Sequence, residues 1–169
     1  MSQEMSQIEI GKVVVNVGCG QVGEEVVKAK KLVEKITGKD AVKTESKDAA
    51  KTFGLREGLK IGAMTTLRGE KAREFLEKVF TAVDEIEASQ FDEKGNFAFG
   101  IGEYIDVSGI DYDADIGMMG FEVSVNLERP GYRVKRRDYK PSDIGEDHLV
   151  GDEEAVNFVE ETFDVEVVR

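Results

Sequence analysis

The stretch Phe121-Glu122-Val123-Ser124-Val125-Asn126-Leu127-Glu128 alternates apolar and polar residues without a break. Successive side chains of a β-strand point to opposite faces, so a period of two describes a strand buried on one side and open on the other. Clean alternation belongs to antiparallel sheets, because parallel strands are covered on both faces and read as continuous apolar runs. The feature therefore restricts the fold to a sheet with one covered side.

Residues 61–68 repeat the pattern, with Ile61, Ala63 and Leu67 on one side and Met64, Thr66 and Arg68 on the other. Residues 8–17 form a further strand around the β-branched run Val13, Val14, Val15 and Val17. Lys12 and Asn16 share its outward face. A short extended piece is expected over 41–44. Val22, Val26, Ala29, Val33 and Ile36 recur at helical spacing over 22–36, with Lys28, Lys31 and Lys35 on a separate stripe open to solvent or phosphate. Gly38 ends that helix. The spacing predicts a longer helix over 70–86, through Ala72, Phe75, Leu76, Val79, Val83 and Ile86. A last short helix contains Ala155, Val156, Val159 and Phe163. Asp152 is its expected cap, and Glu153 and Glu154 suit the positive end of its dipole. Helices are too few after residue 87 for a doubly wound parallel fold. The expected class is α+β: an antiparallel sheet with helices packed mainly on one face, the other face polar. Residues 1–169 read as a single domain, with 1–7 disordered and 141–169 an acidic C-terminal extension carrying the terminal helix.

The net charge of −12 opposes nucleic-acid binding, since phosphate recognition wants a basic footprint. The charges are segregated, however. Residues 28–60 and 129–140 are net basic, whereas 81–128 and 141–169 are strongly acidic, which permits a polarised surface. No apolar run approaches the ~20 residues of a membrane span, and no membrane partner is expected. The polar start lacks the apolar stretch of a secretory signal. The single cysteine excludes an internal disulfide framework and suits a reducing, cytoplasmic location.

Two motifs compete for the function. Gly18-Cys19-Gly20-Gln21-Val22-Gly23 matches G-x-G-x-x-G between a strand and a helix, with Glu45 near the place of a ribose-binding acid. It supports an alternative reading as a dinucleotide-binding enzyme using Gly18, Gly20 and Gly23. Against it, the following extended piece is short and no second βαβ unit appears; a tight strand-to-helix turn accounts for the glycines. The run Arg129-Pro130-Gly131-Tyr132-Arg133-Val134-Lys135-Arg136-Arg137 looks instead like a phosphate-contacting arm, with Tyr132 and Tyr139 able to stack. Cys19 and His148 are the only residues of their types, so no metal constellation forms. No catalytic site, metal or cofactor is expected. A third reading is an acidic protein-interaction adaptor.

Taken together, KVVVNVGCG, KIGAMTTLRGEKAREFLEKV, FDEKGNFAFGIGEYID, YDADIGMMGFEVSVNLERPGYRVKRR and EEAVNFVEETFDVEV resemble the large-subunit ribosomal protein L-five family, in its archaeal branch. The likeness covers residues 8–169. It implies an α+β protein, not an enzyme, in the central protuberance of the large subunit, with its open sheet face on 5S rRNA. Asn16, Thr66 and Arg68 match the family's RNA-contacting positions, and these are the residues that alternation places outward. Lys12 and Lys39 join them, Lys39 standing where the family usually has glutamine. Arg133, Lys135, Arg136 and Arg137 are further expected rRNA contacts. The resemblance also implies a loop near peptidyl-site tRNA, here around Lys47, Lys51, Thr52, Phe53, Arg56 and Lys60. Glu45 and Asp48 dilute its basic character. Implied protein partners are ribosomal protein L-eighteen and the small-subunit head protein S-thirteen. Asp143, Glu146 and Asp147 replace a basic segment before the last helix, so that stretch is expected to face solvent or protein.

Overall fold

The computed structural model of the chain describes residues 3–47, 49, 54–83 and 85–168. Its main sheet has the strand order β2-β3-β1-β6-β5, built from β1 (Glu9–Gly18), β2 (Val42–Glu45), β3 (Lys60–Leu67), β5 (Asn96–Ile101) and β6 (Phe121–Glu128). The sheet is antiparallel, as alternation required; β2 pairs with β3 from Val42↔Met64 to Glu45↔Lys60, with a register shift after Thr44. A second sheet was not anticipated: β4 (Glu85–Glu87) and β7 (Glu166–Val168) pair in parallel, Ile86 opposite Val167.

Burial follows the period of two. Val13, Val15 and Val17 of β1, Ala63, Thr65 and Leu67 of β3, and Phe121, Val123, Val125 and Leu127 of β6 are buried. Val14 and Asn16, Met64 and Thr66, and Ser124 and Asn126 remain half-buried on the opposite sides. Thr65 is polar but satisfied, its Oγ1 donating to the Asp40 carbonyl at 3.0 Å.

The chain divides into two compact units, with boundaries inside β1, β5 and β6 and at the end of β3. In the unit comprising Val14–Leu67 and Gly100–Ser124, α2 (Glu24–Thr37) packs on β3. It buries Val26, Ala29, Leu32 and Val33, each worth about 1.5–3 kcal/mol for the larger side chains. Val22, expected in this apolar face, precedes the helix and is exposed. Gly38 closes α2 at φ 62°, a left-handed conformation that costs glycine little.

In the other unit, α3 spans Glu70–Val79 and buries Ala72, Phe75, Leu76 and Val79. It is shorter than its spacing predicted. The chain tightens into a 3-10 turn at Phe80–Ala82, and Ile86 is buried from β4 instead. Phe80 stacks on Phe99 at 5.3 Å and meets Phe163 at 4.9 Å, so three distant segments close one aromatic cluster. The terminal helix α5 (Asp152–Phe163) is capped by Gly151, with Asp152 its first residue. The Glu154 carboxylate accepts the Gly151 N–H at 3.2 Å. In the stretch expected to be disordered, Gln3–Ser6 forms one helical turn, α1, and Met5 lies beside Gly131.

Candidate nucleic-acid interface

On β1, Lys12 and Asn16 lie on the side opposite the buried valines, Lys12 exposed and Asn16 half-buried. On β3, Thr66 takes the half-buried side, and Arg68, just past the strand, is exposed. Among the described residues none of these four side chains has a hydrogen bond or ion pair within the protein. Lys39 comes to the same strand: its Nζ donates to the Thr66 carbonyl at 2.6 Å. Gly38, turning in the left-handed region, delivers Lys39 there. Asn16 and Thr66 thus lie opposite the buried residues of their strands, as alternation predicts, and long-range geometry brings Lys39 onto Thr66.

The basic run folds as a turn around a single helical turn, α4 (Arg133–Arg136). Arg133, Lys135, Arg136 and Arg137 are exposed. All but Lys135 line an open cavity of about 860 Å³, together with Gly131, Val134, Asp138 and Tyr139. The cations differ in how they are engaged. Arg136 is bonded to Glu128, and the Arg137 Nε donates to the Lys140 carbonyl at 2.9 Å. Arg129 is turned inward, 11 % exposed, binding the Leu149 carbonyl at 3.0 Å and Glu154 at 2.7 Å. Arg133 and Lys135 carry no such contact among the described residues.

The two tyrosines also separate. Tyr132 is half-buried and donates its hydroxyl to the His148 carbonyl at 3.2 Å, whereas Tyr139 is 76 % exposed with the Lys140 ammonium 5.4 Å from its ring centre. Stacking capacity thus rests on Tyr139. The acidic segment after the turn folds back onto it: Ser142 N–H donates to Val134 O at 3.2 Å, and His148 Nε2 is 2.9 Å from Pro130 O. No pattern in the sequence announces these contacts, since each joins residues far apart in the chain.

The loop between β2 and β3 is clasped at its base, where Ser46 N–H donates to Leu59 O at 2.8 Å and Gly58 N–H to Ser46 O at 3.0 Å. Lys47 and Arg56 are exposed on this loop, and Lys60 is exposed at the first position of β3; Asp48, Lys51, Thr52 and Phe53 lie outside the described residues.

The glycine-rich turn does not resemble a nucleotide cradle. Cys19 N–H pairs with Ile61 O at 2.8 Å, continuing β1 against antiparallel β3, whereas dinucleotide folds need parallel neighbours. Glu24 and Glu25 fill the first turn of α2, where a pyrophosphate would require positive potential. Burial, followed by the Glu25 carboxylate, pushes the Cys19 thiol up, away from the reactive thiolate. The lysine stripe of α2 is also partly engaged: Lys35 Nζ donates to Asp111 O at 2.9 Å and lies 3.4 Å from Asp113 Oδ2.

Comparison with known proteins identifies the family. Residues 60–164 match the C-terminus of the ribosomal protein L5 family, and residues 3–56 match Ribosomal protein L5. Three archaeal relatives carry the name large ribosomal subunit protein uL5. The one from Methanococcus maripaludis is 43 % identical over 99 % of this chain and 94 % of its own length. That from Sulfurisphaera tokodaii is 45 % identical over 98 % and 94 %, and that from Nanoarchaeum equitans 44 % over 99 % and 100 %. The dinucleotide-enzyme reading is thereby overturned: the family is structural, not enzymatic, and its ribosomal role places it in the cytoplasm. This chain belongs to the ribosomal protein L5 family and is a structural constituent of the large ribosomal subunit.

Proposed function

We propose that the chain anchors 5S rRNA in the central protuberance, gripping the RNA backbone with the open sides of β1 and β3. One observation carries this reading: the Lys12, Asn16, Thr66 and Arg68 side chains, all able to donate, have no partner in the protein among the described residues. A carboxamide, a hydroxyl and two cations suit phosphates and 2′-hydroxyls across the shallow groove of folded RNA. Neither strand carries an aromatic residue, so base stacking of the single-strand type is not the mode. Lys39 adds a charge beside Thr66. Arg133, Lys135, Arg136 and Arg137 contact large-subunit rRNA, with Tyr139 as the stacking ring.

The β2–β3 loop approaches peptidyl-site tRNA with Lys47, Arg56 and Lys60 as its described cations, and with Lys51, Thr52 and Phe53 completing it. Ribosomal protein L-eighteen is the neighbour on 5S rRNA and S-thirteen the contact in the small-subunit head; the family resemblance supports both.

The test is retention of 5S rRNA transcript across a salt series. Each neutralised phosphate contributes about 0.7–0.9 to the slope of log affinity against log salt. Arg68→Ala is expected to weaken binding by about 1–3 kcal/mol and to flatten the slope by roughly one contact. Absence of retention at low salt, or an Arg68→Ala protein that binds as the parent does, would end this reading.

A further inference from the structure

Two cavities lie side by side along α5, within one compact unit. The first, about 700 Å³, is lined by the 8–10 stretch, by Gly69, Glu70 and Arg73, and by Phe158, Glu161 and Thr162. The second, about 340 Å³, shares Ile8, Phe158 and Glu161 and extends along Asn157 to Arg129. Together they form a groove with an apolar floor of Ile8, Ile10 and Phe158, all half-buried. Its rim is acidic. Glu9, Glu70 and Glu161 are exposed and have no ion-pair partner among the described residues. The two rim cations are already matched, Arg73 to Glu77 at 3.2 Å and Arg129 to Glu154 at 2.7 Å. The helix along which the groove runs contains no Lys or Arg at all.

We propose that this groove is a docking site for an extended, Lys/Arg-rich protein segment carrying aliphatic side chains. In such a strand alternate residues point opposite ways, so aliphatic side chains can fill the floor while neighbouring cations meet Glu9, Glu70 and Glu161. Charge complementarity excludes RNA as the occupant, because three unmatched carboxylates would stand against phosphates. In a particle made largely of RNA, an acidic groove with an apolar floor has a cationic protein tail as its complement.

The probe is a fluorescent synthetic peptide alternating lysine and valine, titrated into the full chain and followed by anisotropy. A lysine–serine peptide of the same charge is the comparison. The expected result is tighter binding of the lysine–valine peptide, reduced about tenfold by combining Glu9→Gln, Glu70→Gln and Glu161→Gln, since exposed pairs each contribute modestly. Glu93→Gln, an exposed acid on the turn at 92–95 and absent from both cavity walls, leaves binding unchanged. Equal binding of both peptides, equal loss in Glu93→Gln, or no loss in the triple variant overturns the proposal. A photo-crosslinker at Asn157 in assembled large subunits gives a second reading: crosslinks to a Lys/Arg-rich protein segment are expected, and crosslinks to rRNA refute it. Retention of 5S rRNA by the triple variant is expected to persist, which separates this site from the β1–β3 interface.

Discussion

Gly62 and Gly11 offer a matched pair of perturbations, because both lie where a Cβ has no room yet what crowds them differs. A Cβ at Gly62 would fall 2.5 Å from the Val17 carbonyl oxygen and 2.7 Å from Thr44 Oγ1. One at Gly11 would fall 2.5 Å from Cδ of Glu128. Neither glycine has a positive φ, so alanine is resisted by space alone. Replacing either glycine also restricts the unfolded chain, by about 0.4–1 kcal/mol in favour of the variant, and this effect cancels when the two are compared. At Gly62 the obstacle is the backbone of β1, which cannot yield without moving a strand; overpacking of this kind costs about 1–3 kcal/mol. At Gly11 the obstacle is the end of a flexible carboxylate, which swings away and gives up its contact with Arg136, a pair with Arg136 exposed and Glu128 half-buried, worth about 1 kcal/mol. Gly62→Ala is therefore expected to be less stable than Gly11→Ala by about 1–2 kcal/mol. For a chain of this length that separates their melting points by roughly 2–8 °C. Thermal unfolding of both variants in one buffer measures it, and hydrogen exchange of the β3 amides localises it. Coincident melting points, or a Gly11→Ala protein that melts first, would refute the claim that backbone contact sets the cost.

Three other outcomes are open to measurement. Burial would push the Asp92 carboxyl up, but donation from the Asn96 side chain and from the Asn96 and Lys94 N–H groups outweighs it and holds the group below its usual range. Its stabilising contribution is thus complete above the unfolded value of about 3.9 and lost as pH falls through the lower folded value; the stability gap between wild type and Asp92→Asn should shrink below about pH 4 in an acid titration. Glu154→Ala strands the inward Arg129 charge and is expected to destabilise by about 1–3 kcal/mol. Arg129→Met, which leaves a half-exposed carboxylate and an apolar stem, should cost less by urea unfolding; the reverse order would contradict the burial argument. Lys35→Ala removes the tie from α2 to Asp111 and Asp113 and should speed limited proteolysis within 105–115, leaving cleavage elsewhere unchanged.

What could be read from the chain was what repeats at short range. The open sides of β1, β3 and β6 follow from a period of two, and burial of Val13, Val15 and Val17 against half-exposed Asn16 obeys it residue by residue. The helix over 70–86 was overrun because Val79, Val83 and Ile86 keep helical spacing while the backbone tightens at Phe80–Ala82. Apolar periodicity does not distinguish a helix from a turn that buries the same side. The β4–β7 pair was invisible: Glu85-Ile86-Glu87 is too short to carry a pattern, and its partner lies near the other end of the chain. The candidate interface divides likewise. Asn16, Thr66 and Arg68 are placed by local geometry, whereas the fates of Arg129, Arg136, Tyr132 and Lys35 depend on contacts that no local pattern encodes.

Those contacts explain how an acidic chain can serve an RNA-binding family. A net charge of −12 matters little at a site if the carboxylates responsible lie beyond the Debye length, about 8 Å at physiological salt. What acts on a phosphate is the local set of cations with no internal counter-charge. By that measure Arg129, Arg136 and Lys35 are already matched to carboxylates within the fold. Lys12, Arg68, Arg133 and Lys135 are unmatched among the described residues. The sequence sum merges the two groups, and even the local count over the basic run treats Arg136 and Arg133 alike. Matching divides them: breaking the Glu128 contact is the step Arg136 must take before it can neutralise a phosphate, and Arg133 has no such step. On the proposed rRNA contact, Arg133 and Lys135 are thus the cations of the turn whose removal should weaken RNA binding most, and Arg136 the one whose removal should be buffered by the Glu128 it releases.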